Sequence, residues 1–474
     1  MPEISTYSSN LSLIIPELIL AVAVCILTLA GLWKNAPVWL PQAICVCVLL
    51  PVISLGSMPV DTRETVFAGA IHLGTFNREI MVICDFATGL SLWLYASRSS
   101  RKLPIEVYPL MITMLLGMHL MAASANLLML FIALELVSVC AYGLTAFGSG
   151  QAASEAAIKY LLFGITASAF MLYGMSWLYG FSGSLYFEHE SFSVALNNAP
   201  RFPVMLALAF TLAGMLFKVS AFPWHSWAPD VYESAPLPVV AVFNAGSKAA
   251  GLVLLFNFAI HVRVEGMREL LAGAAAISMI VGNLAAMRQK NPRRLIAWSS
   301  VAQSGFMLCL CAAAGPDSGT ALQFYIFMYL LLTMAVFALL LAFEKHNPKG
   351  TIEDFAGLGI SNPGLGICML LVMAGLTGLP PTGGFTAKLL TFVDLLGNAQ
   401  SSGNKTLYWL LLIAALNTLP ALYYYLRIPF YMFFRKRKEG RLEQRFPLWL
   451  QVLAWGLTLI MMLGFFATGL FIAN

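Results

Sequence analysis

Charge is what this sequence has least of: 10% of its 474 residues are Asp, Glu, Lys or Arg, and 59% are apolar. Soluble domains carry about 25% charged residues, so these few charges could not cover a soluble fold of this size. The eight cysteines form no CxxC pair and no disulfide-scaffold spacing. The net charge of +5 is too weak and scattered for nucleic-acid binding. We therefore interpret the chain as a polytopic membrane protein.

Apolar runs of about 20 residues are long enough to cross a bilayer, and no soluble domain fits between the runs found here. The first run follows no cationic segment, so we expect a retained helix rather than a cleaved signal. The predicted fold is all-α, with fourteen spans at 11–33, 36–57, 80–97, 105–123, 125–147, 155–180, 203–222, 236–260, 267–287, 294–315, 319–343, 364–396, 406–433 and 447–472.

Lysine and arginine in the loops indicate the orientation of these spans, since cytoplasmic loops are enriched in them. The loops after the odd-numbered spans hold sixteen such residues and the opposite side holds six. This bias places both termini on the outer side of the membrane. The basic run 435–438 is then a topology anchor.

A small set of charges remains inside or at the edge of the spans, where each costs about 2.5–3.5 kcal/mol at mid-bilayer. Such residues must be paired, hydrated or both. The cations are Lys159, Lys218, Lys248, Lys388 and Arg427. The acids are Glu17, Asp85, Glu135 and Asp394.

Two spans are interrupted by helix-breaking residues close to a lysine. In span 7, Pro223 follows Lys218, and span 12 contains Pro380, Pro381, Gly383 and Gly384 before Lys388. Proline removes a backbone donor and glycine lets the chain unwind, which a membrane tolerates only where the freed groups face protein or water. We therefore predict that both helices are broken.

The spacing of the breaks predicts an inverted repeat. Lys218 and Lys388 are 170 residues apart, and spans 4 and 9 begin 162 residues apart. An offset of five spans, an odd number, makes the two repeats cross the membrane in opposite directions. Secondary transporters have such inverted repeats, with the functional site at discontinuous helices. The predicted organisation is helices 1–3 at 1–104, a first repeat of helices 4–8 at 105–261, a second of helices 9–13 at 262–434, and a basic loop with helix 14 at 435–474.

A glutamate and a lysine in mid-span can carry a proton if the ion pair between them forms and breaks. Glu135, Lys218 and Lys248 lie near the centres of their spans, and Lys388 follows the second break. The alternative for each is a static pair that serves assembly. Lys159 has Glu155 four residues before it, a favourable helix pair, and can either join the path or extend to the membrane surface.

Other polar residues can extend such a path or only join helices to one another. Arg427 is expected to extend to the interface, since arginine does not release its proton. Glu17 is expected at the interface and His119 at the outer end of span 4, whereas Asp85 and Asp394 receive no role. The supporting candidates are Ser220, Ser247, Ser299, Gln303 and His225, and for His225 the alternative is bonding to local backbone.

The sequence has no metal-ligand spacing, no haem or iron–sulfur spacing, no phosphate loop and no nucleophile–base pair. We therefore expect no cofactor, metal or redox centre on this chain.

From about Pro16 to Phe430, the chain resembles the antiporter-like membrane subunits of respiratory complex I, in particular the subunit N (subunit 2) type. The resemblance is carried by Glu135-Leu-Val-Ser, Ser154-Glu155-Ala-Ala-Ile-Lys159-Tyr160, Phe217-Lys218-Val-Ser220-Ala-Phe-Pro223-Trp-His225, Ser247-Lys248, Arg294-Leu-Ile-Ala-Trp-Ser299-Ser300 and Gly378-Leu-Pro380-Pro381-Thr-Gly383-Gly384-Phe385-Thr-Ala-Lys388. One departure is Gln303, which stands where many members have histidine and cannot hold a proton itself.

The resemblance implies proton translocation through Glu135, Lys159, Lys218, Lys248 and Lys388, driven by quinone reduction elsewhere in NADH:quinone oxidoreductase. It implies NAD, FMN, iron–sulfur clusters and quinone on other subunits. The partners would be M-type, K-type and J-type membrane subunits and lipid, without nucleic acid, in a bacterial inner membrane. Three alternatives remain: a multisubunit cation/proton antiporter, a ferredoxin-driven or hydrogenase-linked relative, and a purely structural subunit with static charges.

Overall fold

The computed structural model describes residues 13–31, 51–52, 55, 64–97, 104–344, 350–436 and 447–470. The described residues form two compact units, one within Met1–Val219 and Ser234–Leu270 and the other within Ser220–Glu233 and Leu271–Asn474. Of the described helices, ten are long and apolar enough to cross a membrane, and shorter apolar helices accompany them. The expectation of a helical, polytopic membrane protein is confirmed.

The helices of unit one follow the predicted spans closely. They are α1 Ile15–Gly31, α2 Thr75–Ala96, α3 Val107–Ala123, α4 Leu127–Ala146, α5 Gln151–Ser182, α6 Glu190–Asn198, α7 Arg201–Lys218, and α9 Leu237–His261, which contains a π-helical turn at Phe243–Ser247. The short α8, Ala228–Ser234, precedes α9 in the chain and belongs to unit two up to Glu233. The predicted span 36–57 lies largely outside the described residues.

A short hairpin precedes α2, and the all-helical prediction did not include it. Strands β1 Glu64–Val66 and β2 Ile71–Leu73 pair antiparallel, with Val66 opposite Ile71. Gly69 in the connecting turn has φ +85°, a conformation in which glycine has no Cβ penalty. Strands of three residues are too short for a hydrophobic alternation to be visible in the sequence.

Unit two contains the second set of spans. Its helices are α10 Met267–Met287, α11 Pro292–Ala313, α12 Ser318–Glu344, α13 Leu358–Ser361, α14 Pro363–Thr377, α15 Gly383–Ser402, α16 Lys405–Phe434 and α17 Leu448–Phe466. The first turns of α10 up to Leu270 are grouped with unit one. Asn291 caps α11 by accepting a hydrogen bond from the backbone N–H of Arg293, with Pro292 at the first helical position.

Both predicted helix breaks are present. Helix α7 ends at Lys218, and regular helix resumes only at Ala228. The long span 364–396 is divided into α14 and α15. At the second break, Gly378 adopts φ +86° and ends α14, while the side chain of Thr382 accepts a hydrogen bond from the Phe385 N–H at the start of α15.

Packing in each unit buries three of the candidate lysines, Lys218, Lys248 and Lys388. In unit one, α7 packs along α5, α3 packs against α1, α2 and α4, and α9 contacts α2 and α3 while its apolar stretch is wholly buried. In unit two, α15 packs against α11, α12, α16 and α17, and α14 packs against α16.

The close approach of α15 to α14 predicts a stability effect. A Cβ atom at Gly384 would overlap the backbone carbonyl of Gly375. We expect Gly384→Ala to destabilise the protein by about 1–3 kcal/mol, as overpacking does in well-packed cores. The midpoint of thermal unfolding in detergent measures this.

Gly397 provides a matched control on the same helix, because no atom lies within 4 Å of its built Cβ. Gly397→Ala should leave the midpoint unchanged or raise it, by about 0.5–1 kcal/mol in stability. Equal losses in the two variants would contradict the close helix contact.

Candidate functional site

The carboxylate of Glu135 lies on α4 in unit one, half-buried, and accepts a hydrogen bond from the Ser168 hydroxyl of α5. Ser138, one turn further along α4, receives a hydrogen bond from Lys218 Nζ at 3.4 Å. Because residues three apart share a helix face, the ammonium contacts the same face of α4 that carries the carboxylate. The structure thus brings Glu135 and Lys218 to one helix surface, with a serine as the direct partner of the lysine.

Lys218 is also next to the helix that carries Lys248. A Cβ built on Gly251 of α9 would lie 3.3 Å from Lys218 Cγ, so the lysine stem packs on α9 one turn beyond Lys248. Both lysines are almost fully buried, at 3% and 1% exposure. The structure therefore gathers Glu135, Lys218 and Lys248 on neighbouring helices of unit one.

The π-helical turn at Phe243–Ser247 immediately precedes Lys248 and contains the predicted Ser247, which is buried. A π-helical turn inserts one extra residue into a helix, and such turns occur frequently at functional sites. The turn was not predicted, because the hydrophobic pattern of the sequence continues through it without interruption.

Aromatic packing fixes the end of α7 beside Lys218. The Phe217 ring lies 5.5 Å from Tyr160, whose ring is 4.8 Å from Tyr142 and 6.3 Å from Phe243. Neighbouring aromatic rings at these separations add stabilisation beyond their buried area. The cluster connects α4, α5, α7 and α9 around the lysine.

Lys159 is not part of this buried group. Its side chain is 47% exposed, and Nζ pairs with Glu155 Oε1 at 2.7 Å, as the spacing of four residues predicts. Exposed pairs of this kind contribute little to stability. Within unit one, Lys159 lies on the outer surface of α5.

The segment after the first break belongs to unit two and is held mainly by polar contacts. Ser220 is buried at φ +57°, an uncommon conformation for a residue other than glycine. The backbone N–H of Phe222 donates to Ser278 Oγ at 2.8 Å. Arg294 pairs with Asp230 at 3.0 Å and with Glu233 at 2.7 Å, which fastens α8 to the start of α11.

His225 lies in this segment, two residues after Pro223. Its ring packs against Trp298 at 5.6 Å and Phe222 at 5.8 Å, and its buried Nδ1 has no hydrogen-bond partner. A buried polar atom without a partner is costly unless it serves a purpose. The ring also hydrogen-bonds to the backbone of Pro223, so the relay role and bonding to local backbone both remain open.

In unit two, Lys388 lies at the second break with its ammonium against the end of α14. Nζ donates to the carbonyl oxygen of Thr377 at 2.7 Å and to that of Leu376 at 3.4 Å, and it lies 4.5 Å from the centre of the Phe306 ring. The last carbonyls of a helix lack intrahelical partners and carry partial negative charge. The broken helix therefore supplies the partners of this buried lysine.

Gln303 of α11 binds one of the same carbonyls. Its Nε2 donates to Leu376 O at 2.8 Å and to Tyr425 Oη at 3.2 Å, while its Oε1 accepts from Tyr325 Oη at 2.7 Å. Lys388 and Gln303 thus converge on Leu376 O. The amide connects the lysine to two tyrosine hydroxyls that sequence reasoning missed.

The tyrosine network continues along α16. Tyr424 Oη donates to Asn283 Oδ1 at 3.0 Å, and Asn283 Nδ2 donates to Asn417 O at 2.8 Å. Buried tyrosines need a partner for the hydroxyl, so their presence in apolar spans was the sequence feature that could have indicated this network. Ser299 is buried and donates to the Ile296 carbonyl, and Arg427 donates to the Gln289 carbonyl rather than standing free at the interface.

Comparison with known proteins relates this arrangement to a family. A family profile described as NADH:quinone oxidoreductase/Mrp antiporter, TM, matches residues 124–418. The chain is 34% identical to NADH-quinone oxidoreductase subunit N of Trichlorobacter lovleyi, over 91% of this chain and 89% of that protein. It is 32% identical to NAD(P)H-quinone oxidoreductase subunit 2 of Microcystis aeruginosa, over 91% and 84%.

Solved structures give the same relationship. A chain of respiratory complex I from Thermus thermophilus with bound aureothin superposes with a TM-score of 0.80 at 30% identity, covering 96% of this chain and 98% of that one. A chain of the Mrp complex from Dietzia also gives 0.80, at 20% identity over 95% and 50%. The second likeness shows a shared fold.

The network around Gln303 predicts a measurable cost. Gln303→Leu would leave the Tyr325 hydroxyl and the shared Leu376 carbonyl without this partner, so we expect a loss of about 1–3 kcal/mol. Tyr325→Phe removes one hydrogen bond and should cost less. Thermal unfolding of the two single variants and the double variant gives the coupling energy.

Gln400 of α15 is exposed and provides the control for the same substitution. Gln400→Leu should leave stability within about 0.5 kcal/mol of the parent protein. Strict additivity of the Gln303 and Tyr325 substitutions would argue against the observed hydrogen bond between them.

Proposed function

The chain belongs to the NADH:quinone oxidoreductase/Mrp antiporter family of transmembrane proteins, and we propose that it is a proton-translocating membrane subunit of an NADH:quinone oxidoreductase, of the subunit N type. The observation that carries the proposal is the burial of Lys218, Lys248 and Lys388 beside helix breaks and a π-helical turn. Intramembrane ionisable residues mark proton and ion pathways.

In unit one, the proposed switch is an exchange of partners by Lys218. In the structure its ammonium contacts Ser138 rather than a carboxylate, while Glu135 is bonded to Ser168. A change of side-chain rotamer would bring the ammonium towards the carboxylate one turn away. Pairing favours the charged amine and separation favours its release of a proton, so forming and breaking this pair moves a proton towards Lys248.

In unit two, Lys388 has partners that suit both of its protonation states. Backbone carbonyls accept a hydrogen bond from an ammonium or from a neutral amine, so release of the proton leaves no carboxylate unpaired. Gln303 donates to the same carbonyl as Lys388 and cannot accept the proton, so the released proton would pass to water beside Lys388. The hydroxyl groups of Tyr325, Tyr425 and Ser299 would carry it onward. Three further polar residues would extend the proton path within their units. Ser247 would do so in unit one, and Ser220 and His225 in unit two.

The subunit would work within a larger assembly. Relatives of this chain are named as subunits of NADH-quinone oxidoreductase, and we propose that NAD, FMN, iron–sulfur clusters and quinone are bound by other subunits. The proposed neighbours are the M-type, K-type and J-type membrane subunits, together with lipid. The location would be a bacterial inner membrane, with both termini on the periplasmic side.

The surface of α5 supports such neighbours. Its outward face combines exposed apolar side chains, such as Ile158 at 58% and Leu162 at 59%, with the Lys159–Glu155 pair. A face of this kind borders either lipid or another membrane protein. Lys159 would enter the proton path where a neighbouring subunit covers it.

The proposed function is tested by replacing Lys218 in the assembled complex. We expect Lys218→Ala to lower proton pumping coupled to quinone reduction by roughly tenfold or more, because an alanine cannot carry the proton. Inverted membrane vesicles with a pH-sensitive dye measure pumping, and a native gel verifies assembly. Lys405→Ala is the control, since Lys405 is exposed at the start of α16.

Full pumping by a normally assembled Lys218→Ala complex would refute the mechanism. Loss of assembly with intact pumping in the surviving complex would favour a structural role. Sodium–proton exchange by vesicles without an electron donor would favour a cation/proton antiporter, and co-purification with ferredoxin-linked or hydrogenase-like subunits would favour the relatives of that kind.

A further inference from the structure

Three side chains from the first helices of unit one form a buried cluster that the proposed proton path does not use. His119 of α3 lies between two carboxylates, with Nδ1 3.1 Å from Glu17 Oε1 of α1 and Nε2 3.2 Å from Asp85 Oδ1 of α2. The side chains of His119 and Asp85 are 0% exposed and that of Glu17 is 13% exposed. Glu17 is therefore largely buried and bonded to His119.

The geometry sets the number of protons that this cluster can hold. An ionised carboxylate only accepts hydrogen bonds, and a neutral imidazole donates through one nitrogen alone. Hydrogen bonds at both ring nitrogens therefore need two protons, one in each N···O contact. With two protons the cluster is an imidazolium between two carboxylates and carries a net charge of −1.

A place for a third proton is also present. The second carboxylate oxygens, Asp85 Oδ2 and Glu17 Oε2, are buried and have no hydrogen-bond partner. Leaving the oxygen of an ionised carboxylate unpaired in the interior is costly. Protonation of either oxygen brings the cluster to zero charge while both bonds to His119 are kept.

The helices that carry Asp85 and His119 both contact the π-helical turn that precedes Lys248. A Cβ on Gly246 in that turn would lie 3.1 Å from Met118 Sδ and 3.3 Å from Ala87 Cβ, the first residue adjoining His119 in sequence and the second two positions after Asp85. Cys84 Sγ donates to the Gly246 carbonyl at 3.5 Å. Helices α2 and α3 therefore link the cluster to the segment that positions Lys248, although the three side chains do not touch that segment themselves.

Other ionisable groups lie on the elements packed around the cluster, and α2 also carries Arg78 and Glu79 near its start. Cys84 of α2 is the neighbour of Asp85, and its thiol is turned to α9. Helix α9 contributes Lys248, and α4 contributes Glu135, which is bonded to Ser168. Exchange with the surroundings is most direct through Glu17, the least buried of the three.

We propose that Glu17, Asp85 and His119 form a proton-binding site, separate from the mid-membrane Glu/Lys path, that alternates between two and three bound protons. The third proton enters through Glu17 and is held on a carboxyl oxygen that has no other partner. The site stores one proton per chain and switches the local charge between −1 and 0. This proposal does not depend on which complex contains the subunit.

Infrared difference spectroscopy of the full chain in lipid nanodiscs, recorded across a pH titration, tests this. A protonated carboxyl group has a C=O stretching band that an ionised carboxylate lacks. The other acidic side chains also protonate on acidification, so the site is read from the difference between parent and variant. We expect the parent protein to show one such band per chain that Asp85→Asn shifts or lacks. Glu17→Gln, at a less buried position, should likewise alter the band and slow its appearance.

Asp394→Asn is the control for loss of a buried carboxylate without a histidine partner. Both oxygens of Asp394 accept hydrogen bonds, from Ser318 at 2.7 Å and from Asn398 at 3.1 Å, so this variant should retain the band. If Asp85→Asn does not accumulate, the same comparison is made between the parent protein and Glu17→Gln. Identical titrations of the parent and of each variant that accumulates would overturn the proposal.

Discussion

The cost of holding an ammonium group inside an apolar helix bundle is the constraint on which the rest of this structure depends. Each buried lysine must find polar partners, and regular transmembrane helices offer almost none, because their carbonyls are already bonded within the helix. Ending α14 at Thr377 frees carbonyls, and Lys388 binds two of them. The break is thus what allows a lysine to be buried at that point.

Unit one meets the same constraint with side chains. Lys218 is the last residue of α7 and bonds to Ser138, while a π-helical turn precedes Lys248. A hydroxyl partner is weaker than a carboxylate partner. This leaves Lys218 able to exchange partners, whereas a bidentate ion pair would fix it in place.

Much of this fold could be predicted from the sequence, because span positions follow from hydropathy and the breaks at Pro223 and Pro380 follow from the chemistry of proline. The partners of the charges could not be predicted in the same way. Ser138 for Lys218 and Leu376 O for Lys388 are contacts between helices distant in the chain. The bond between Glu17 and His119 likewise joins residues that lie 102 positions apart in the chain.

The structure explains what Gln303 does at a position where the resemblance leads one to expect histidine. A histidine at this position would take up a proton, and the amide cannot. The amide can, however, donate to Leu376 O and to Tyr425 while accepting from Tyr325, so it fixes the direction of the hydrogen bonds around Lys388. Because the amide and Lys388 both donate to Leu376 O, a proton that leaves the lysine cannot pass through the amide. The charge-holding step in unit two therefore belongs to the lysine.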